Sequence, residues 1–130
     1  MERRSISTGL AYEDMVGYSR ALVVGDWVFV SGTTGRDRIT NEIPEGIAEQ
    51  THNTFKTIIW ALEEAGSSMA EVVRGRIAVT HRSYETELLP VLGHYLRPVK
   101  PALTIYVAEL LDPRLKIEID VTALRGSAGR

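Results

Sequence analysis

Hydrophobic and polar residues alternate most regularly towards the C-terminal end of the chain. Leu103, Ile105 and Val107 alternate with Thr104, Tyr106 and Ala108. After Leu110-Leu111-Asp112-Pro113, Leu115, Ile117, Ile119 and Val121 alternate with Lys116, Glu118, Asp120 and Thr122. Period-two patterning over two neighbouring runs predicts two half-buried strands, forming a hairpin over 101–123. One face can pack on helices. The other carries Lys116, Glu118 and Asp120 in a row, and like charges side by side keep such a face either wet or part of a site.

Upstream, residues 1–9 read as an edge strand or an arm. The apolar runs Ala21–Val24 and Trp27–Val30 flank Gly25-Asp26, a two-residue hairpin turn with glycine at its first central position. Residues 32–42 read as a polar loop. Pro44 suits a first helical position, and Glu45 suits the positive end of the helix dipole. Ile47, Thr51, Phe55, Ile58, Leu62 and Ala65 then recur at steps of three and four, the buried stripe of a helix that Gly66 terminates. Ser68 and Glu71 have capping-box spacing. Val73, Gly75, Ile77 and Val79 alternate with Arg74, Arg76, Ala78 and Thr80 as a further strand, and strand–helix–strand suggests a parallel pair. Ser83 opens a second helical stretch with Leu88, Leu89, Leu92 and Leu96, which either begins near Pro90 or is kinked by it. Pro98 and Pro101 end it, and Gly126–Arg130 read as a frayed tail.

The order β-β-loop-α-β-α-β-β predicts a single α/β (α+β) domain over 1–130, a mixed sheet with two helices on one face. Two helices leave the Glu118 face uncovered. A homo-oligomer closing its sheets into a central barrel would cover it and create sites between subunits. Lys and Arg number 15 against 17 Asp and Glu, a net charge of −2, so nothing favours a nucleic-acid partner. The absence of cysteine excludes disulfides, thiolate nucleophiles and cysteine metal sites. His52, His81 and His94 show no metal-ligand spacing, so neither metal nor cofactor is expected. No apolar run approaches the roughly 18 residues of a membrane span, and the N-terminus lacks a signal-peptide core. The expectation is a soluble, cytoplasmic protein.

Five segments in this order carry a resemblance: VGYSRAL around Tyr18, VFVSGTTG at 28–35, the run at 61–80, PALTIYVAEL at 101–110 and KIEIDVTAL at 116–124. Together they resemble the YjgF/RidA family of reactive-intermediate (imine) deaminases, also named endoribonuclease L-PSP. The resemblance spans about residues 16–124. It implies a chorismate-mutase-like fold, a homotrimer with an inner barrel, and small-molecule clefts between subunits. It also implies that Tyr18, Ser31 and Gly32 line the cleft and that Glu118 holds the attacking water. Two positions depart from the pattern. Leu103 stands where the deaminases carry an arginine for the substrate carboxylate, and Thr33 stands where glutamine is common. Leucine cannot make that bidentate, charge-assisted pair, so the chain looks like the family's arginine-lacking branches.

Read from the residues alone, each candidate has two readings. Glu118 is either a cleft carboxylate that positions water or a strand carboxylate paired with Lys116 or Arg114. Tyr18 either donates its hydroxyl to a ligand or packs the entry to a strand. Ser31, Gly32 and Thr33 either offer hydroxyls and backbone N–H groups or end a strand. Arg36, Arg38, Arg74, Arg76 and Arg97 either replace the missing clamp or are solvated charge, and Trp60 either meets a neighbouring subunit or lies on its own domain. The functional expectation is imine or enamine hydrolysis in a cleft built by Tyr18, Ser31, Leu103, Thr104, Ile105 and Glu118. Its substrate would carry an apolar or neutral group where the deaminase substrates have a carboxylate. The alternatives are a metabolite-binding trimer without chemistry and, against the charge balance, an RNase.

Overall fold

A computed structural model describes residues 1–128. Six strands, β1 (Arg3–Ile6), β2 (Ala21–Val24), β3 (Trp27–Thr34), β4 (Val72–Val79), β5 (Ala102–Val107) and β6 (Ile117–Leu124), form one mixed sheet. Its order is β1-β2-β3-β6-β4-β5, and only the β4–β5 pairing is parallel. Helix α1 (Ala11–Val16) is short, while α2 (Ile47–Glu64) and α3 (Glu85–Leu96) supply the helical layer. The mixed sheet with its principal helices on one face is the architecture the pattern predicts.

The α2 stripe is the main packing surface. Ile47, Thr51, Phe55, Ile58, Leu62 and Ala65 are all buried, where they meet Val28 and Val30 of β3 and Ile117, Ile119, Val121 and Ala123 of β6. Each large apolar side chain removed from water contributes roughly 1.5–3 kcal/mol, enough to fix which face of the sheet α2 covers. On β6 the alternation is complete: odd-numbered residues are buried, and Glu118, Asp120, Thr122 and Leu124 lie half-exposed on the other face. Helix α2 ends as expected, with Gly66 at φ +77° and Ser67 N–H donating to Leu62 O. Gly25 turns the β2–β3 hairpin at φ +60°.

The sequence reading is corrected at several points. The strands of 101–123 do not form a hairpin. Strand β4 inserts between them, pairing parallel with β5 and antiparallel with β6. Strand β5 is the sheet edge, exposed along its whole length rather than half-buried. Strands β3 and β4 do not pair because β6 lies between them, and the parallel pair is β4–β5, bridged by α3. Strand β3 continues to Thr34 into the stretch read as loop, through an irregularity between Val30 and Thr33. Helix α2 starts at Ile47 with Gly46 at its N-cap, so Pro44 and Glu45 both precede the helix. Pro90 sits inside α3. Ser68 makes no cap. Its neighbour Ser67 donates to Glu71 at 2.7 Å, and Glu71 also accepts from Gly126 N–H. The start of the expected tail is thus held, while Gly129 and Arg130 lie outside the described residues. Among the described residues no helix is long and apolar enough to cross a membrane.

Candidate functional site

A cleft of about 1040 Å³ opens where β3 and β6 emerge from the sheet, walled by the turn before α1 and by loops 36–41 and 110–115. Tyr18, Arg20, Gly32, Thr33 and Glu118 line it. Buried Gln50 sets one wall. Its amide donates to Pro44 O (2.8 Å) and Arg114 O (2.9 Å) and accepts from Lys116 N–H (2.8 Å), so α2 fixes the entry to β6 with every amide group used. Gly35 meets α2 so closely that an added Cβ would lie 2.3 Å from Gln50 Cβ. In the 110–115 wall, Arg114 holds Asp112 through its guanidinium (2.7 and 3.1 Å) and backbone N–H (2.9 Å). These bonds, with Arg36 nearby, bring the Asp112 carboxyl down from 3.8 to about 2.

Glu118 is half-buried against Gly32, where an added Cβ would lie 2.5 Å from Oε1. Glycine at 32 is therefore what leaves room for the carboxylate. The partners expected for a merely structural Glu118 are engaged elsewhere: Lys116 donates to Glu45 O (2.6 Å), and Arg114 binds Asp112. No hydrogen bond or ion pair within the described residues ties down the Glu118 carboxylate, which can hold and polarise a water.

The other expected residues divide. Tyr18 lines the cleft, edge-on to Tyr12 and beneath the Arg20 guanidinium, 5.4 Å from the ring centroid. Gly32 and Thr33 line it as well. The hydroxyls donate inward: Ser31 to Ser19 O (2.6 Å), and buried Thr33 to Ser31 O (2.7 Å). Leu103 and Ile105 are elsewhere in this chain, in an apolar groove of about 350 Å³ under α3 with Leu89, Leu92 and Leu96. Thr104 shares a register with Arg76. Strand β4 separates all three from Glu118. Arg36 and Arg38 reach the cleft, Arg38 stacked 4.3 Å over Trp60. Arg76 pairs with Asp120 at 3.3 Å on the sheet's other face, and Arg97 borders the groove. His52 meets the Tyr95 hydroxyl at 2.8 Å, and His81 accepts from Ser83 N–H.

Two cleft residues escape sequence reading, Glu13 and Arg20, which are 3% and 7% exposed. Glu13 accepts from Ser7 Oγ (3.0 Å), Thr8 N–H (3.1 Å) and Thr8 Oγ1 (2.6 Å). Arg20 lies 3.9 Å from it. Glu13 lies in the six-residue α1 and Arg20 just before β2, segments too short to show a periodicity that would mark them as interior.

Comparison with known proteins agrees with this architecture. The family model described as Endoribonuclease L-PSP matches residues 8–125. A RutC family protein of Aquifex aeolicus is 31% identical over 124 residues, covering 94% of this chain and 99% of that one. A 2-iminobutanoate/2-iminopropanoate deaminase of Dermatophagoides farinae is 32% identical over 119 residues, covering 89% and 93%. The crystal structure of a YjgF/YER057c/UK114 family member from Mycobacterium tuberculosis superposes with a TM-score of 0.86 at 35% identity, covering 95% of this chain and 99% of that one. Fold, sequence and extent coincide, and the chain belongs to the YjgF/RidA family described as Endoribonuclease L-PSP.

Proposed function

We propose that the cleft is a small-molecule site for hydrolysis of an imine or enamine, with Glu118 positioning the attacking water. The observation that carries this is the unengaged Glu118 carboxylate, seated against Gly32 in a cleft shared with Tyr18. Water adds through oxygen to the C=N carbon while one of its protons passes by way of Glu118 to the nitrogen. The C–N bond of the resulting carbinolamine then breaks, the hydroxyl proton follows to nitrogen, and a carbonyl compound and ammonia leave. An enamine enters the same path after protonation at carbon. The deaminase name of the mite relative supports this chemistry.

A homotrimer is part of the proposal. Trp27 and Phe29 are each 44% exposed on the open sheet face, and β5 leaves Leu103, Ile105, Tyr106 and Val107 uncovered. Apolar exposure on this scale supports an interface. A neighbouring copy would bring Leu103, Thr104 and Ile105 to the cleft. With leucine there, the substrate presents an apolar or neutral group at that wall, as in the family's arginine-lacking branches.

Glu118→Gln is expected to lower imine turnover by about 100-fold or more, with its thermal midpoint kept. Turnover at the wild-type rate would remove Glu118 from the mechanism. Leu103 also favours a second reading, a trimer that binds a metabolite without chemistry. A panel of carboxylated and neutral imines, run on wild type and Leu103→Arg, separates the two. Hydrolysis of neutral imines by wild type, with carboxylated ones gained by Leu103→Arg, supports the enzyme. A ligand that raises the melting temperature and stays intact on long incubation supports the binder. RNA cleavage surviving stringent purification and lost in Glu118→Gln would overturn both.

A further inference from the structure

The cleft is polar at its floor and apolar at its mouth. Ile39 (82% exposed), Leu111 (94%) and Tyr12 (48%) all border it, from the 36–41 loop, the 110–115 loop and α1 respectively. An exposed apolar side chain standing alone needs no explanation, but several gathered round one opening mark a surface that meets something apolar.

Both loops hold these side chains in place. Asp37 accepts from Ile39 N–H (2.8 Å) and Thr40 N–H (2.9 Å), and Asn41 N–H donates back to Asp37 O (2.9 Å), closing a turn with Ile39 at its tip. Asp112, next to Leu111, accepts from Arg114 N–H (2.9 Å) and from the Arg114 guanidinium. Arg36 lies 3.7 Å from Asp112, an ion pair that ties one loop to the other. On the third side Tyr12 stands edge-on to Tyr18, their ring centroids 6.1 Å apart, and carries the aromatic surface outward from the floor. Arg38 is stacked on Trp60. The charged side chains of the two loops are thus engaged with one another, with loop backbone or with Trp60, and the apolar tips are what the mouth offers a ligand. Holding them in position beforehand lowers the cost of ordering them on binding.

We propose that Tyr12, Ile39 and Leu111 determine specificity, and that the cleft takes a neutral imine or enamine carrying an extended alkyl or aryl group. This rests on the reading of the cleft as an imine-hydrolysing site, and it names the substrate class. The C=N carbon lies at Glu118, and the apolar group runs outward between Ile39 and Leu111. At about 1040 Å³ the cleft stands at the upper end of the roughly 300–1,000 Å³ range of pockets that enclose a drug-sized molecule, so it has room well beyond the reacting group.

The test is an NMR titration of the full-length protein with acetamide, butanamide, hexanamide and 3-phenylpropanamide, stable neutral stand-ins for imines. It follows the Gly32 backbone amide at the floor and the Ile39 and Leu111 methyl groups at the mouth. The Kd is expected to fall about threefold for each methylene added between acetamide and hexanamide. The methyl signals should move with hexanamide and 3-phenylpropanamide but not with acetamide. In the double variant Ile39→Ser, Leu111→Ser the gain is expected to drop to about 1.5-fold per methylene. Both side chains lie outside the core, so the variant is expected to fold. If it does not, the wild-type methyl signals decide: their standing still while hexanamide moves Gly32 overturns the proposal. Equal affinity for short and long amides overturns the apolar specificity and leaves the small-molecule reading standing. An unchanged gain per methylene in the folded double variant overturns the role of Ile39 and Leu111. If no amide moves Gly32, the small-molecule reading falls and the proposal with it. Sedimentation of the double variant as a smaller assembly than wild type assigns the two side chains to a subunit interface and overturns the proposal.

Discussion

At the scale of single residues, the cleft depends on a side chain that is missing. Gly32 is not among the left-handed glycines, so alanine fits its backbone, but the new methyl would occupy the place of the Glu118 carboxylate. Gly32→Ala is expected to stay folded, with less than about 1 kcal/mol lost, because the flexible end of Glu118 can swing away. On the proposed mechanism, the displaced carboxylate should cost roughly 100-fold in turnover. A steady-state assay beside a urea melt checks both halves. Asp112 supplies a pH signature. Its carboxyl is lowered to about 2 chiefly by the Arg114 side chain, so the folded state favours the ionised form. That contribution to stability is full above the unfolded value near 3.8 and is lost as pH falls from there through about 2. Carbon-detected titration should place the Asp112 midpoint near 2 in wild type and closer to 3.8 in Arg114→Ala.

At the scale of elements, α2 both covers the sheet and shapes the cleft. Gln50 belongs to its buried side but acts as a connector, holding Pro44, Arg114 and Lys116 together. Gln50→Leu keeps the volume and strands a buried N–H and two carbonyls, at an expected cost of about 2–4 kcal/mol. Gly35→Ala drives a methyl into the α2 backbone at Gln50 and should cost about 1–3 kcal/mol by overpacking. Because both act on one contact, the double variant should fall short of the sum. Denaturant midpoints of the three variants measure this, and an additive result would separate Gly35 from the Gln50 anchor.

At the scale of the whole molecule, the helices cover one face of the sheet, and the other carries its exposed aromatics. Phe29 lies opposite Leu22 on one side and Thr122 on the other, at the centre of that face. If the proposed trimer forms, sedimentation should give three times the 14.4 kDa chain mass. Phe29→Glu should then shift it to monomer and abolish ligand binding, with the isolated fold intact because Phe29 makes no part of the core. A wild-type monomer at micromolar concentration would overturn the trimer.

The sequence by itself determined the α2 stripe, the alternation of β6 with its inward face, and the β2–β3 turn. These are local periodicities, and a residue three or two positions away is a neighbour whatever the rest of the chain does. It placed Tyr18, Gly32, Thr33 and Glu118 as candidates, and the fold gathers these four into one cleft. Only the tertiary structure decided that β4 separates β5 from β6. Alternation reports the face on which a side chain lies, not the strand beside it. The same insertion carries Leu103, Thr104 and Ile105 away from Glu118 within one chain. Tertiary structure also decided that Arg20 is buried, 3.9 Å from a Glu13 carboxylate that α1 brings to it. Pairing between distant segments is set by how the whole chain buries its apolar surface, and no local pattern records it.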